Sequence, residues 1–455
     1  MAWQKKLKNR TLRLQQRVVR SMAALETAEE VSLLSRAGVD QSILVAMPSE
    51  ANDNFASALK NVSKIIKQSF FALVICAITS MAAGFSLAEM SHLLALYPGL
   101  IVLVPGAIDM RGTIFGTFGA RLGTSLHTGE ISPPIANSGP LRQQMGGVAV
   151  QVLSVSMILA LVVKGFGLAI GLDIMSVYDL VLISVTSSIF SGFILLGFTL
   201  LVIEKSFRKG WDPDNISIPF ITVAGDVITI PILFGTAIFV SALSDSATRI
   251  ATFFFVFITT SAAVYGIGSK HQVARRIVRQ SMPVLIIATL FSTVAGLFMG
   301  IYEEMLVAFS TVLLLIPVFN AVGGNLGGIL SSRLTSAYHL GMIRMESGLE
   351  RETKVNFGCT LALAAFLFPT LGILGYVVSR AFGMDALGFG DLLTICLVAG
   401  LFTTVLTIIV TYFFTRFFVR VGFDPDNVTI PMITSVMDVL GTASLIVATI
   451  AIVSA

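Results

Sequence analysis

The sequence predicts an all-α polytopic membrane protein, in which a linking transmembrane helix joins two parallel five-helix repeats, giving about eleven spans. Three observations predict this class: the composition, the spacing of apolar segments and an internal duplication. Of the 455 residues, 55% are hydrophobic and only 12% are charged, whereas soluble domains are about one quarter charged. The mean hydropathy of +0.88 indicates that excess apolar surface faces lipid. Most basic residues lie between apolar segments, so the net charge of +4 gives no support for nucleic-acid binding.

The apolar segments have roughly the length of about 20 residues that a membrane helix needs. We expect spans at about 69–88, 93–126, 148–171, 179–203, 216–242, 250–268, 282–301, 305–337, 357–379, 391–415 and 428–454. Residues 1–67 lack the short apolar core and cleavage site of a signal peptide and are expected to form a polar arm.

The distribution of Lys and Arg predicts the orientation. With the N-terminus in the cytoplasm, 26 of the 30 basic residues lie on the cytoplasmic side. The other four are Arg111, Lys164, Arg249 and Arg380. Because Lys and Arg are enriched in cytoplasmic segments, we expect a multi-pass protein of the cell membrane with a cytoplasmic N-terminus and an extracytoplasmic C-terminus.

The chain contains an internal duplication with a constant offset of 212 residues. The offset divides it into a cytoplasmic arm (1–67), a first transmembrane repeat (68–243), a linking helix with a basic connector (244–279) and a second repeat (280–455). The Asp-Pro-Asp-Asn run at 212–215, for example, returns at 424–427. The extra span between the repeats makes them parallel, related by an axis along the membrane normal. Such a chain is a pseudo-dimer that can act as a monomer, with its transport pathway on that axis.

Each fifth span carries an aspartate well inside the apolar segment, Asp226 and Asp438. Intramembrane carboxylates are costly and are functional by default, although an Asp can simply bond to a neighbouring helix. On a helix, the aspartate shares one face with a Thr and an Asn of the same span, and a Pro on that face frees the Asn carbonyl. The first stripe is Asn215, Pro219, Thr222 and Asp226, and the second is Asn427, Pro431, Thr434 and Asp438.

These oxygen-rich stripes predict a site for a hard divalent cation. Mg²⁺ keeps several waters and takes one or two carboxylates, so we expect Mg²⁺ as the transported ion and no organic cofactor. The three cysteines lie in apolar segments without a CxxC spacing, which argues against a zinc site.

The second span of each repeat contains a proline, Pro105 or Pro317, followed by glycines. Broken or closely packed helices of this kind line transport pathways, and packing of small residues alone is the alternative. Asn325, whose equivalent is Thr113, is the candidate ligand in this span because it is polar at depth.

At these residues the chain resembles the MgtE-type divalent cation transporters, especially their two-repeat solute-carrier relatives. Its second copy has the family's second-span pattern, Pro317, Gly324-Asn325 and Arg333-Leu334-Thr335, whereas the first has Gly112-Thr113 and Arg121-Leu122-Gly123. The resemblance implies that the fifth-span aspartates, Asp226 and Asp438, bind Mg²⁺ in the pore. It covers both repeats but not the arm, which has no room for the large cytoplasmic sensor of single-repeat relatives.

Three other functions stay open at this point. The sequence does not separate a channel from an exchanger driven by Na⁺ or H⁺ for another divalent metal. An organic-anion transporter would need positive groups at depth, and only Arg111 offers one. An intramembrane aspartyl protease would also place two aspartates in the bilayer, here Asp179 and Asp226. The duplication argues against this enzyme, which would not need the residues around Asp226 copied around Asp438.

Overall fold

The computed structural model describes residues 55–94, 96–127, 131, 139–208, 213–268, 272–339, 343, 349–384, 387–421 and 425–453. Within these ranges the chain forms helices and no strands. Helix α1 (Phe55–Glu89) begins inside the expected arm and continues into the first repeat, which also contains α2 (Ser91–Leu94), α3 (Leu100–His127), α4 (Gly139–Ala169), α5 (Val177–Arg208) and α6 (Pro213–Ser241). The linking helix is α7 (Asp245–Gly268). The second repeat contains α8 (Gln272–Ile301), α9 (Glu303–Ala308), α10 (Ser310–His339), α11 (Arg351–Ala381), α12 (Phe389–Val421) and α13 (Pro425–Val453).

The helices confirm the all-α polytopic architecture. In the part of the chain that the structure describes, 10 helices are long and apolar enough to cross a membrane. The remaining expected span, about 69–88, corresponds to the shorter apolar part of α1, Leu73–Glu89. The count of eleven spans therefore stays a prediction.

The expectation of one continuous apolar segment at 93–126 is wrong, because the chain turns between α2 and α3. Pro98 and Gly99 lie in this turn, and Gly99 has a φ of +79°, a conformation that suits glycine. A similar break at Phe309 separates α9 from α10 in the second repeat. The long helices α3 and α10, which correspond to the expected second span of each repeat, thus each follow a short helix.

The first helix of each repeat packs against the opposite repeat. Helix α1 contacts α10 and α11, and its equivalent α8 contacts α3 and α4. Such reciprocal contacts, in which each repeat packs its first helix against the other, are expected of two repeats related by a pseudo-twofold axis. Because α7 is long and apolar enough to cross a membrane, we expect α8 to begin on the same side as α1 and the two repeats to run in parallel.

The most deeply buried part of the core lies at the N-terminal ends of α3 and α10. Residues 101–104 of α3 and their equivalents, 313–316 of α10, are at most 2% exposed and belong to one apolar cluster. Helix α7 lies at the periphery, since only 17% of its most apolar stretch is buried, against 78% in α3. Its large exposed side chains, such as Phe253 and Phe257, are expected to face lipid.

Candidate functional site

A cavity of about 440 Å³ lies between the two repeats and is lined by α1, α3, α6, α8, α10 and α13. Nine pairs of lining residues are equivalent under the offset of 212 residues, so both repeats contribute equivalent positions to the cavity. The pairs are Leu87 and Met299, Val104 and Ile316, Pro105 and Pro317, Ile108 and Asn320, Asp109 and Ala321, Gly112 and Gly324, Thr113 and Asn325, Thr222 and Thr434, and Asp226 and Asp438.

The structure brings the two fifth-helix aspartates to this cavity. Asp226 of α6 is 8% exposed and Asp438 of α13 is partly buried, and both line the cavity. Thr222 and Thr434 line the same cavity one turn earlier, as the spacing of four predicts. The side chains of Asn215 and Asn427, in the first turns of α6 and α13, lie outside the described residues.

Close helix packing positions these side chains. A Cβ added to Gly112 of α3 would lie 3.0 Å from Cγ2 of Thr222, and one added to Gly324 of α10 would lie 3.2 Å from Cγ2 of Thr434. Helix α3 continues through Pro105, and helix α10 continues through Pro317. The expected interruption of these helices at Pro105 and Pro317 is therefore wrong, and the helices are continuous and closely packed beside the cavity.

Asn325, the candidate ligand of the second span, also lines the cavity. Its side chain is exposed and donates a hydrogen bond from Nδ2 to Sγ of Cys76 on α1, at 3.1 Å. Its carbonyl oxygen can still accept, and an amide oxygen suits a hard cation.

Sequence reasoning missed a third carboxylate, Asp109 of α3. Its Oδ2 accepts hydrogen bonds from the hydroxyl groups of Ser292 at 2.6 Å and Ser435 at 2.9 Å, both in the second repeat. It also lines the same cavity as Asp226 and Asp438. Its depth in an apolar segment was an available signal, but its equivalent is Ala321, so a search for duplicated polar residues passes over it.

The three carboxylates surround a shared space without meeting at one point. Within the described ranges, no group of three His, Cys, Asp or Glu side chains is arranged to hold one metal ion together. Hydroxyl groups and an amide line the same cavity as the carboxylates, namely those of Thr113, Thr222, Thr434 and Asn325. The cavity thus combines three carboxyl groups and several hydroxyl and amide oxygens with an otherwise mostly apolar wall, and it has room for water.

Comparison with known proteins gives a match to the MgtE divalent cation transporter model over residues 104–236 and again over 316–448. The second match begins and ends 212 residues after the first, which is the offset of the internal duplication. The chain belongs to the MgtE family.

This MgtE-family chain is also similar to curated solute carriers. It is 26% identical over 371 residues to solute carrier family 41 member 2 of Macaca fascicularis, covering 76% of this chain and 63% of that protein. It is 27% identical to the Xenopus laevis protein of the same name, covering 76% and 64%. It is 25% identical to solute carrier family 41 member 3 of Rattus norvegicus, covering 76% and 78%. The chain thus spans less than two thirds of the member 2 proteins, and no solved structure matches it.

The pairing that an intramembrane protease would need is not found in the described part of this MgtE-family chain. Asp179 lies at the start of α5, where its Oδ2 accepts a hydrogen bond from Ser176 at 2.7 Å. It is not among the residues that line the cavity with Asp226. A family of transporters likewise points away from an enzyme.

Proposed function

We propose that this chain carries divalent cations, with Mg²⁺ as the ion, across the membrane along a pathway between its two repeats. The observation that carries this proposal is that Asp226 and Asp438, at equivalent positions of a duplicated chain, line one cavity. Membership of a divalent cation transporter family supports the class of substrate.

The charges of the cavity favour a cation. Two carboxylates that repel each other in a low-dielectric region are stabilised when an ion of opposite charge lies between them. A divalent ion offsets both charges at once. Asp226 and Asp438 therefore supply the charge that compensates for partial dehydration of the ion.

The spacing of the carboxylates favours an ion that keeps some of its water. Mg²⁺ gives up water reluctantly and is held by one or two carboxylates together with waters. Thr222, Thr434 and Asn325 would contact those waters from the cavity wall. Asn215 and Asn427, nearer the starts of α6 and α13, would offer further oxygens along the same helices.

Flux into proteoliposomes tests the proposal. Vesicles containing the purified full-length chain and a trapped Mg²⁺ indicator should show Mg²⁺ entry above that of protein-free vesicles. Repeating the assay with imposed Na⁺ or H⁺ gradients separates a channel from an exchanger. As a control, the Asp391→Asn variant should show the same Mg²⁺ entry as the unmodified chain, because Asp391 lies at the start of α12 and does not line the cavity. Mg²⁺ entry equal to that of protein-free vesicles under every gradient would refute the proposal.

A further inference from the structure

Two charged residues of α3 break the duplication at the level of the cavity. Asp109 and Arg111 lie two positions apart, and their equivalents in α10 are the uncharged Ala321 and Gly323. Residues two apart on a helix point to different sides. Asp109 lines the cavity, whereas Arg111 does not and packs towards α5.

Arg111 is completely buried in a cradle of neutral groups. It donates from Nη2 to Oγ of Ser188 at 3.0 Å and of Ser187 at 3.3 Å. It also donates from Nε to Oγ of Ser191 and from Nη1 to the carbonyl of Ala107. No ion pair to Arg111 occurs among the described residues. Its positive charge is therefore hydrogen-bonded but is not neutralised by direct contact.

The second repeat is built without this cradle. Ala399, Gly400 and Thr403 of α12 stand where α5 has Ser187, Ser188 and Ser191. The Phe368 ring packs closely against Gly400, whereas the residue equivalent to Phe368 is the much smaller Ser156. The arginine and the hydroxyl groups that receive it thus occur together in one repeat and are replaced together in the other.

A count of the charged groups in and beside the cavity connects Arg111 with it. Asp109, Asp226 and Asp438 contribute three negative charges when ionised, and Arg111 contributes one positive charge on the opposite side of α3. The net charge is then minus two, which one divalent cation neutralises. Arg121, the next basic residue of α3, is twelve positions from Asp109, or about 18 Å along the helix.

We propose that Asp109 is a further ion-contacting residue and that Arg111 is its fixed counter-charge, which acts across α3 without forming an ion pair with the carboxylate of Asp109. This inference rests on the proposed function, because it assigns the added carboxylate to the same cation site. Charges in a membrane interior are weakly screened, so two groups can compensate each other without touching. The hydroxyl groups of Ser292 and Ser435 hold Asp109 towards the cavity.

The test is a double-mutant cycle on the full-length chain, with Asp109→Asn, Arg111→Met and the combination of both. We expect Asp109→Asn to raise the half-saturating Mg²⁺ concentration for flux by about tenfold. Arg111→Met should lower that concentration and reduce the melting temperature of the Mg²⁺-free protein. In the double variant both values should return towards those of the unmodified chain.

Two controls separate charge from packing. Arg111→Lys keeps the charge but loses the planar fork, so its Mg²⁺ dependence should be nearer to that of the unmodified chain than that of Arg111→Met. Ser184→Ala removes a neighbouring buried hydroxyl that donates to the carbonyl of Ser156 rather than contacting Arg111, and should leave Mg²⁺ dependence unchanged.

The outcomes decide the proposal even if Arg111→Met fails to fold, since recovery of folded protein in the double variant then supports charge coupling. An unchanged half-saturating concentration in Asp109→Asn, or a double variant no better than Arg111→Met in folding and in Mg²⁺ dependence, overturns it. Failure of the proposed function is distinguishable, because it would remove Mg²⁺ flux from the unmodified chain. The melting temperatures of Mg²⁺-free protein would still measure the coupling of the two charges.

Discussion

Gly84 of α1 and Gly296 of α8 make the same contact in opposite repeats. Gly84 lies against the backbone carbonyl of Leu314, and Gly296 lies against that of Val102. Both the glycines and the carbonyls are equivalent under the offset of 212 residues. These reciprocal contacts join each first helix to the second helix of the other repeat, and those second helices line the cavity.

Substitution of either glycine by alanine should destabilise the protein. The added methyl group would overlap backbone, which cannot rotate away as a side chain can, so Gly84→Ala and Gly296→Ala should each cost about 1–3 kcal/mol. The measurement is unfolding of the purified protein in detergent. Gly197→Ala is the control, since no atom lies within 4 Å of its added Cβ. Equal stability of all three variants would contradict the close contact.

The amide of Asn325 should assist transport without contributing much to folding, because its side chain is exposed in the cavity. Asn325→Leu should reduce Mg²⁺ flux roughly fivefold, as expected for the loss of one polar contact of about 1 kcal/mol. Asn325→Thr, which installs the residue type found at position 113, should retain more flux. Equal Mg²⁺ flux in the two variants would show that the amide of Asn325 does not contribute to transport.

Glu303, at the start of the short helix α9, should make stability depend on pH. Burial, together with repulsion from Glu304, raises the pKa of Glu303 to about 6 from its ordinary value of 4.5. The folded protein then binds more protons than the unfolded chain in this range, so stability falls as the pH rises from about 4.5 to 6. Glu303→Gln should raise the melting temperature above pH 6 but not below pH 4.5. Glu89→Gln, at an exposed position, is the control, and a pH-independent effect of Glu303→Gln would show that the Glu303 carboxyl does not titrate with a raised pKa.

The orientation of the chain can be tested by labelling single cysteines introduced at the exposed positions 245 and 275, on a background without Cys76, Cys359 and Cys396. These positions flank α7, so they should lie on opposite sides. With a cytoplasmic N-terminus, a membrane-impermeant reagent added outside should label position 245 and not position 275. The reverse pattern, or labelling of both from one side, would refute the predicted topology.

The fold could be predicted because it depends on repeated, regular signals. Apolar segments of membrane length and a constant offset identify helices and their pairing without any knowledge of tertiary contacts. The turn at Pro98 and Gly99 was missed because apolar residues continue on both sides of it, and composition alone does not show where a helix stops.

The residues of the candidate cavity were easiest to identify where the duplication repeats them. Asp226 and Asp438 stand out because their surroundings are copied, whereas Asp109 has Ala321 as its equivalent. The hydroxyl groups of Ser292 and Ser435 reach Asp109 only through packing of the second repeat against the first. Such contacts between distant parts of a chain leave no local pattern in the sequence.

The measurement that tests the central claim most directly is Mg²⁺ flux through Asp226→Asn, Asp438→Asn and the double variant, each present in proteoliposomes at the level of the unmodified chain. Asn keeps the size and one oxygen of Asp, so folding should survive, whereas the lost charge removes half of what offsets dehydration of the ion. Each single change should abolish most of the flux, and the double change should add little, because residues that act as one unit are not additive. Wild-type Mg²⁺ flux through both single variants would contradict a shared aspartate site on the axis between the repeats.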